Sequence, residues 1–232
     1  MIVYGRNPVR EALRGRRSVR RLWAAEPEGW DASGVPVERA TREELDRRAG
    51  TDGHQGVCAE VAAYPYADPA DLLRAPEPLL VALDEVQDPQ NLGAVCRTAE
   101  CAGATGVVLP SRRSAEVTPA VCKASAGAVE HLLVARVRNM ADFLADAKAA
   151  GCWCYGADAG ASTAYDAPDY RGGVVLVLGA EGRGLRPRVA GACDDLVTLP
   201  VRGRVASLNV SAAAAVLLYE VLQVRGRLDS AS

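Results

Sequence analysis

Residues 199–220 read LPVRGRVASLNVSAAAAVLLYE, and the changes of character along this stretch decide the fold. It begins as the end of an apolar strand, crosses a loop carrying Arg202, Gly203 and Arg204, and enters a long alanine-rich helix. Strand, loop and helix in that order form the repeating unit of an α/β protein. Ser207, Asn209 and Ser211 crowd the helix start, where short polar side chains cap free backbone N–H groups. Alone, the stretch reads as a capped core helix. Its neighbours decide whether it is more.

Working outward, the same alternation recurs. Residues 78–86 (PLLVALDEV), 106–110, 131–138, 152–159, 172–179 and 195–200 read as strands. Residues 91–104, 118–130 and 140–151 read as helices, as do residues 207–225. Strands alternating with helices predict a mostly parallel sheet covered on both faces, which places ligands beyond the carboxyl ends of its strands. Nearer the start, MIVYGRNPVREALRG predicts a short strand and then a helix with Asn7 as N-cap and Pro8 in its first turn. Two further strands follow, then a helix capped by Thr41 with Glu44 at the capping-box position, and a final strand over GVCAEVAAY. This organisation predicts a small α/β domain over residues 1–62, a Pro-rich linker over 63–78 with a short helix at ADLL, and a larger domain over 79–232.

Composition narrows the function. With 232 residues, 49% apolar and 24% charged, the chain has the balance of an ordinary soluble globular protein. Aromatics make up 5%, so burial rests on Ala, Val and Leu. A net charge of −2 excludes a surface that is basic throughout. Between residues 6 and 21, however, stand seven arginines and a single acid, Glu11, a local patch able to meet phosphates. The seven cysteines are odd in number and form no CxxC pair, so neither a disulfide framework nor a zinc site is expected, and Cys152 and Cys154 fit buried reduced thiols. Two histidines are too few for a His-based centre, and no metal is expected. With no apolar signal core and no membrane-length apolar run, a cytoplasmic location away from membranes is expected.

Three polar motifs fall at strand ends. In LDEVQDPQNLGAVCRTAECAGA, a turn at Asp88-Pro89 leads to Asn91, read as a helix cap. Gly93 follows it and permits close approach, and Arg97 lies six residues on, read as sharing the helix entrance. In VVLVLGAEGRGL, an apolar strand runs into Gly179, Gly182 and Gly184 with Glu181 among them. The spacing is not the dinucleotide fingerprint, which removes a nucleotide-dependent oxidoreductase, and the carboxylate would repel a pyrophosphate. A neutral or cationic ligand, or a ribose hydroxyl, suits the loop better. In the third motif, the opening stretch, Leu199 and Leu208 offer apolar surface to a flat base, beside Ser207 and Asn209.

In this order and context, NLGAVCR, LGAEGRG and LPVRGRVASLNVS resemble the SpoU (TrmH) branch of the SPOUT superfamily of RNA ribose methyltransferases, without departure at the motif positions. The resemblance covers residues 78–225. YGRNPVREAL and HQGV are similar to the substrate-binding domain of the branch that modifies a guanosine of large-subunit rRNA. The resemblance implies an α/β catalytic domain with a C-terminal trefoil knot, S-adenosylmethionine as cofactor and a homodimer. It implies cofactor contacts at Gly179, Glu181, Gly182, Leu199, Ser207 and Leu208. Methyl transfer falls to Asn91, Arg97, Glu181, Ser207 and Asn209, and the RNA grip to Arg6, Asn7, Arg10, His54 and Gln55. On this reading the small domain resembles a ribosomal protein, and its removal should abolish RNA methylation while sparing cofactor affinity. The alternatives are a tRNA ribose or a ribosomal antibiotic-resistance site as target and, in another class, a non-catalytic RNA-binding assembly factor.

Overall fold

The computed structural model describes residues 1–32 and 34–229, so the domain drawn to residue 232 runs past the last of them. Two sheets organise the chain. The first holds β1 (Ile2–Tyr4), β2 (Val19–Ala24), β3 (Val37–Arg39) and β4 (Val57–Val61) in the order β1-β4-β2-β3. Around it lie α1 (Arg6–Arg14) and α2 (Arg42–Ala49). The Thr41 capping box forms as read: Thr41 Oγ1 accepts from the Glu44 N–H at 3.3 Å, and Glu44 Oε2 accepts from the Thr41 N–H at 2.9 Å. Asn7 is no cap. The helix begins at Arg6, and its first N–H donates to Gln55 Oε1 at 3.1 Å, so the cap arrives from a loop 49 residues away.

The second sheet has seven strands, all parallel. They are β5 (Leu79–Asp84), β6 (Gly106–Pro110), β7 (Leu133–Val137), β8 (Cys152–Ala157), β9 (Thr163–Ala164), β10 (Gly173–Gly179) and β11 (Asp195–Thr198). The order is β7-β6-β5-β10-β8-β11-β9, which seats β10 between β5 and β8, strands that precede it in the chain. Side chains on β5 and β10 alternate between two cores, as the period of a strand requires. Leu79, Val81 and Leu83, with Val174, Leu176 and Leu178, face α4 (Pro89–Cys101), α5 (Pro119–Ala124) and α8 (Val210–Asp229). Leu80, Ala82, Val175 and Val177 face α3 (Pro69–Leu73), α6 (Met140–Ala149) and α7 (Pro187–Ala190).

The sequence reading misses the two-residue β9 and the four-residue α7, both shorter than any pattern can flag. The helix read over 118–130 is broken at Ala126 and Gly127, which take positive φ, and resumes as a 3₁₀ turn over Ala128–Glu130. Buried Cys96 and Cys154 have their thiol pKa pushed by burial to about 12, in keeping with inert reduced thiols.

The N-terminal unit is packed hard onto the larger one. Val3, Val9, Ala12 and Leu22 belong to the same apolar core as Val95, Val121 and Leu217. Arg17 and Glu130, both fully buried, form an ion pair across the junction, with Arg17 Nε donating to Glu130 Oε2 at 2.8 Å. Burial works to lower the Arg17 pKa, but the hydrogen bonds and charge of Glu130 hold it above the ordinary value. Arg16 donates to the carbonyls of Glu130 and Leu132. Within residues 63–78, Tyr64 Oη donates to the Val129 and Leu132 carbonyls, and the Ala67 N–H to Val134. Removing residues 1–62 would uncover this shared core and leave the Glu130 carboxylate buried without its partner.

Candidate active site

The three motifs converge at the carboxyl end of the large sheet. Asp88, not Asn91, caps α4, accepting from the Gln90 N–H at 2.9 Å. Pro89 occupies the first helical position, where its missing N–H costs nothing. Freed from capping, Asn91 lies within the first turn and turns its amide to the other two motifs. Its Nδ2 donates to Glu181 Oε1 at 3.1 Å. Asn209 Nδ2 donates to both partners, to Asn91 Oδ1 at 2.9 Å and Glu181 Oε1 at 2.5 Å. Asn209 Oδ1 accepts from the Ser211 N–H at 2.8 Å and from Ser211 Oγ at 2.6 Å, capping α8. Every hydrogen-bonding position of the Asn209 amide is in use. Asn91 keeps one N–H and one lone pair, and Glu181 keeps Oε2.

The loop carrying Glu181 is shaped by its glycines. A Cβ on Gly179 would lie 2.1 Å from the Gly184 carbonyl carbon, and the Gly184 N–H closes the loop onto the Ala180 carbonyl at 2.9 Å. The backbone that fills the Cβ position of Gly179 is that of its own loop. Gly93 serves packing in the same way, since a Cβ there would lie 2.4 Å from Ala124 Cβ on α5.

Other predicted residues stand apart. Arg97 is exposed and makes no hydrogen bond or ion pair among the described residues. Six residues at about 100° each put it roughly a third of a turn away from Asn91 and about 9 Å along the axis, so the two do not share a face. Ser207 is exposed and unpartnered among the described residues, two positions ahead of the cap; α8 starts at Val210, later than read. Leu208 is 46% exposed and Leu199 packs partly against the core. Among the described residues, no backbone group of 199–208 hydrogen-bonds to other backbone, which leaves amides and carbonyls beside apolar side chains. Val201 and Val205 are exposed there as well. Within the trio the donors are the neutral amides of Asn91 and Asn209, and Glu181 is the charged acceptor.

On the N-terminal unit Arg6, Asn7 and Arg10 are exposed, and Arg10 stacks over Trp30 at 5.6 Å. Gln55 is exposed with φ of 55° and is committed to capping α1. His54 is a correction: the residue is 2% exposed, Nδ1 accepts from the Gly56 N–H at 2.9 Å, and Nε2 meets Asp46 at 3.0 Å. It shapes the loop and has no face for RNA. The arginine patch is likewise divided, because Arg16 and Arg17 serve the junction while Arg14, Arg20 and Arg21 pair with nearby glutamates.

Sequence reading missed the clamp beneath the site. Asp84, buried at the end of β5, accepts from Arg186 Nε at 2.9 Å, from Arg186 NH2 at 2.6 Å and from the Arg186 N–H at 3.0 Å. The bond to Asp84 raises the Arg186 pKa further, though burial opposes it. An acid closing the apolar run LLVALD was the available signal. A cleft of about 280 Å³ is lined by Glu85, Asp88, Asn91, Glu181 and Arg183. Among the described residues no cluster suits a metal ion, and no helix is long and apolar enough to cross a membrane.

Known proteins are similar to this chain in sequence and in fold. Residues 78–219 match the family model of the SpoU rRNA methylases, and residues 2–67 match that of RNA 2′-O ribose methyltransferase substrate binding. A putative TrmH family tRNA/rRNA methyltransferase of Bacillus subtilis, YacO, is 42% identical over 96% of this chain and 95% of its own. The AdoMet-bound rRNA methyltransferase of Sinorhizobium meliloti superposes with a TM-score of 0.83 at 28% identity, covering 96% of this chain and 86% of that one. The SpoU methyltransferase AviRb of Streptomyces viridochromogenes, in complex with AdoMet, gives 0.82 at 27% identity, covering 98% and 90%. With motifs, fold and both family models in agreement, the chain belongs to the SpoU family of RNA methyltransferases.

Proposed function

We propose that the protein transfers a methyl group from S-adenosylmethionine to a ribose 2′-hydroxyl of RNA, with a guanosine of large-subunit rRNA as the target. The observation that carries this reading is the hydrogen-bonded trio of Asn91, Glu181 and Asn209, which joins three separate segments and leaves neutral and anionic acceptors facing a cleft. When bound, S-adenosylmethionine supplies a methyl group already activated on a sulfonium. The chain's own task is then to hold and orient. Leu199, Leu208 and the unpaired backbone around Ser207 suit an adenine, and Glu181 with Gly182 suits the cationic side of the cofactor. Glu181 Oε2 and Asn91 Oδ1 accept from ribose hydroxyls, which are donors in search of acceptors.

Arg97 completes the site as an electrostatic stabiliser of the 2′-oxygen as that oxygen forms its bond to the methyl group and gives its proton to solvent water. It remains protonated throughout, since a guanidinium is not deprotonated in proteins. A homodimer is proposed, as the resemblance implies, and in it Arg97, lying off the trio's face, would meet the cleft of the second copy. Exposed Val216 and Tyr219 on α8, which packs against α4, give such a dimer an apolar surface. HQGV and GRNPV favour rRNA over tRNA, beside the N-terminal match to an RNA 2′-O ribose methyltransferase substrate-binding model, and a cytoplasmic location is proposed with that target.

Arg97→Ala is expected to lower methyl transfer on the order of a hundredfold while cofactor affinity by calorimetry stays unchanged. Mixing Arg97→Ala with Asn209→Ala subunits should restore part of the activity if the residues act across copies. A near wild-type rate for Arg97→Ala removes it from the mechanism. Ribose-methylation mapping of rRNA and tRNA from a deletion strain identifies the target, and a lost mark in tRNA alone overturns the rRNA assignment.

A further inference from the structure

A second, larger depression lies on the opposite side of the sheet from the N-terminal unit. It is a groove of about 1160 Å³ opening at the carboxyl ends of β5, β6 and β7, with α3, α6 and α7 along its floor and walls. Six arginines and four acidic residues line it, in a chain whose net charge is −2.

The arginines differ in how they are held. Arg186 is spent on Asp84 and Glu85, Arg188 pairs with Asp142 at 3.1 Å, and Arg136 with Glu116 at 3.0 Å. Arg113 reaches only as far as 3.7 Å from Glu85, from a backbone held at φ of 57°, a conformation uncommon for a side chain of its size. Arg112 and Arg138 are exposed and have no carboxylate partner among the described residues. They arise from neighbouring strands, just past the ends of β6 and β7, so two uncompensated cations stand side by side at one rim. Glu85 lines both this groove and the cleft beside Asn91 and Glu181, so the two adjoin at this residue.

Resting on the methyltransferase reading above, we infer that the groove is a phosphate track. Arg112 and Arg138 hold the RNA backbone flanking the target nucleotide, on the side of the catalytic unit away from the N-terminal unit. The contact is to backbone and not to bases: the free groups are guanidinium forks at a polar rim, and no aromatic ring lines the rim for a base to stack on, Phe143 being 3% exposed. RNA would then be gripped on both sides of the reacting ribose, by the small unit and by this rim.

The test is the double variant R112E/R138E of the full chain, with R171E as a control of like kind at the amino end of the sheet, where Arg171 pairs with Asp169. Affinity is measured by fluorescence anisotropy with a labelled 30-nucleotide single-stranded RNA between 50 and 300 mM salt. Removing two phosphate contacts should weaken binding at least about tenfold at low salt and flatten the slope of log K against log salt by about 1.4. R112K/R138K should restore both, because a phosphate accepts a point charge as well as a fork. KM for RNA should rise with little change in kcat, and affinity for S-adenosylmethionine should not move.

Unchanged RNA affinity and slope in a folded double variant overturn the track. So does an equal loss in R171E, which would reduce the effect to net charge. Failure of the wild-type protein to bind S-adenosylmethionine would instead strike the methyltransferase reading, and the salt slopes would still decide the track on their own.

Discussion

Asn209 carries more of the site than any other single residue, because one amide performs two unrelated jobs. Its oxygen caps α8, and its nitrogen holds Asn91 and Glu181 together. These jobs separate by substitution. Asn209→Ala should cost about 1 kcal/mol of stability through the lost cap and about a hundredfold in turnover. Asn209→Asp keeps an oxygen for the Ser211 N–H but sets a second carboxylate against Glu181, so thermal unfolding should stay near wild type while activity falls as far as in the alanine variant. Equal Tm losses in both variants would show that the amide acts through the helix alone. The membership of this trio was legible in the sequence as three motifs, whereas the division of labour was not. Asp88 and Asn91 are both good caps three residues apart, and only tertiary contact chooses between them. His54 and Gln55 show the opposite limit: HQGV stood out as a signature, yet one member is buried among loop partners and the other caps a helix distant in sequence.

At the scale of elements, the strand-to-loop transition at Gly179 shows how a fold lends precision to a site. Strand β10 is buried on both faces up to Leu178, and Gly179 lets the loop that follows fold back against it. Gly179→Ala should push that loop off by the width of a methyl group, costing about 1–3 kcal/mol as an overpacked contact. Glu181 rides on the loop, so cofactor affinity and turnover should fall together, checked by calorimetry and a methyl-transfer assay. A variant with wild-type affinity would show that the loop is not held by this contact. The strands of the large sheet were easy to read because each is a short apolar run closed by a turn. Neither β9 nor α7 has such a pattern, and the break at Gly127 required φ of 91°, which sequence patterning does not reveal.

For the whole molecule, the junction between the two units governs what can be separated. Arg17→Ala should destabilise the protein by about 3–5 kcal/mol, since it leaves Glu130 buried and uncompensated, and Arg17→Met with Glu130→Leu should recover most of that loss. Urea unfolding that shows no difference between the single and double variants would argue that water reaches Glu130. Sequence periodicity indicated two units correctly in kind, but it carries no information on how firmly they dock, because the ion pair links positions 113 residues apart. The position of β10 has a different kind of consequence, one of time. Its two neighbours in the sheet, β5 and β8, both leave the ribosome before it, and β5 leads by nearly ninety residues. At roughly 5–20 residues per second, β5 waits several seconds beside a vacant place that it must not fill with the wrong strand. A nascent chain of this kind stays open at its centre until synthesis is almost done, which makes its final third the part that admits the rest to the native state.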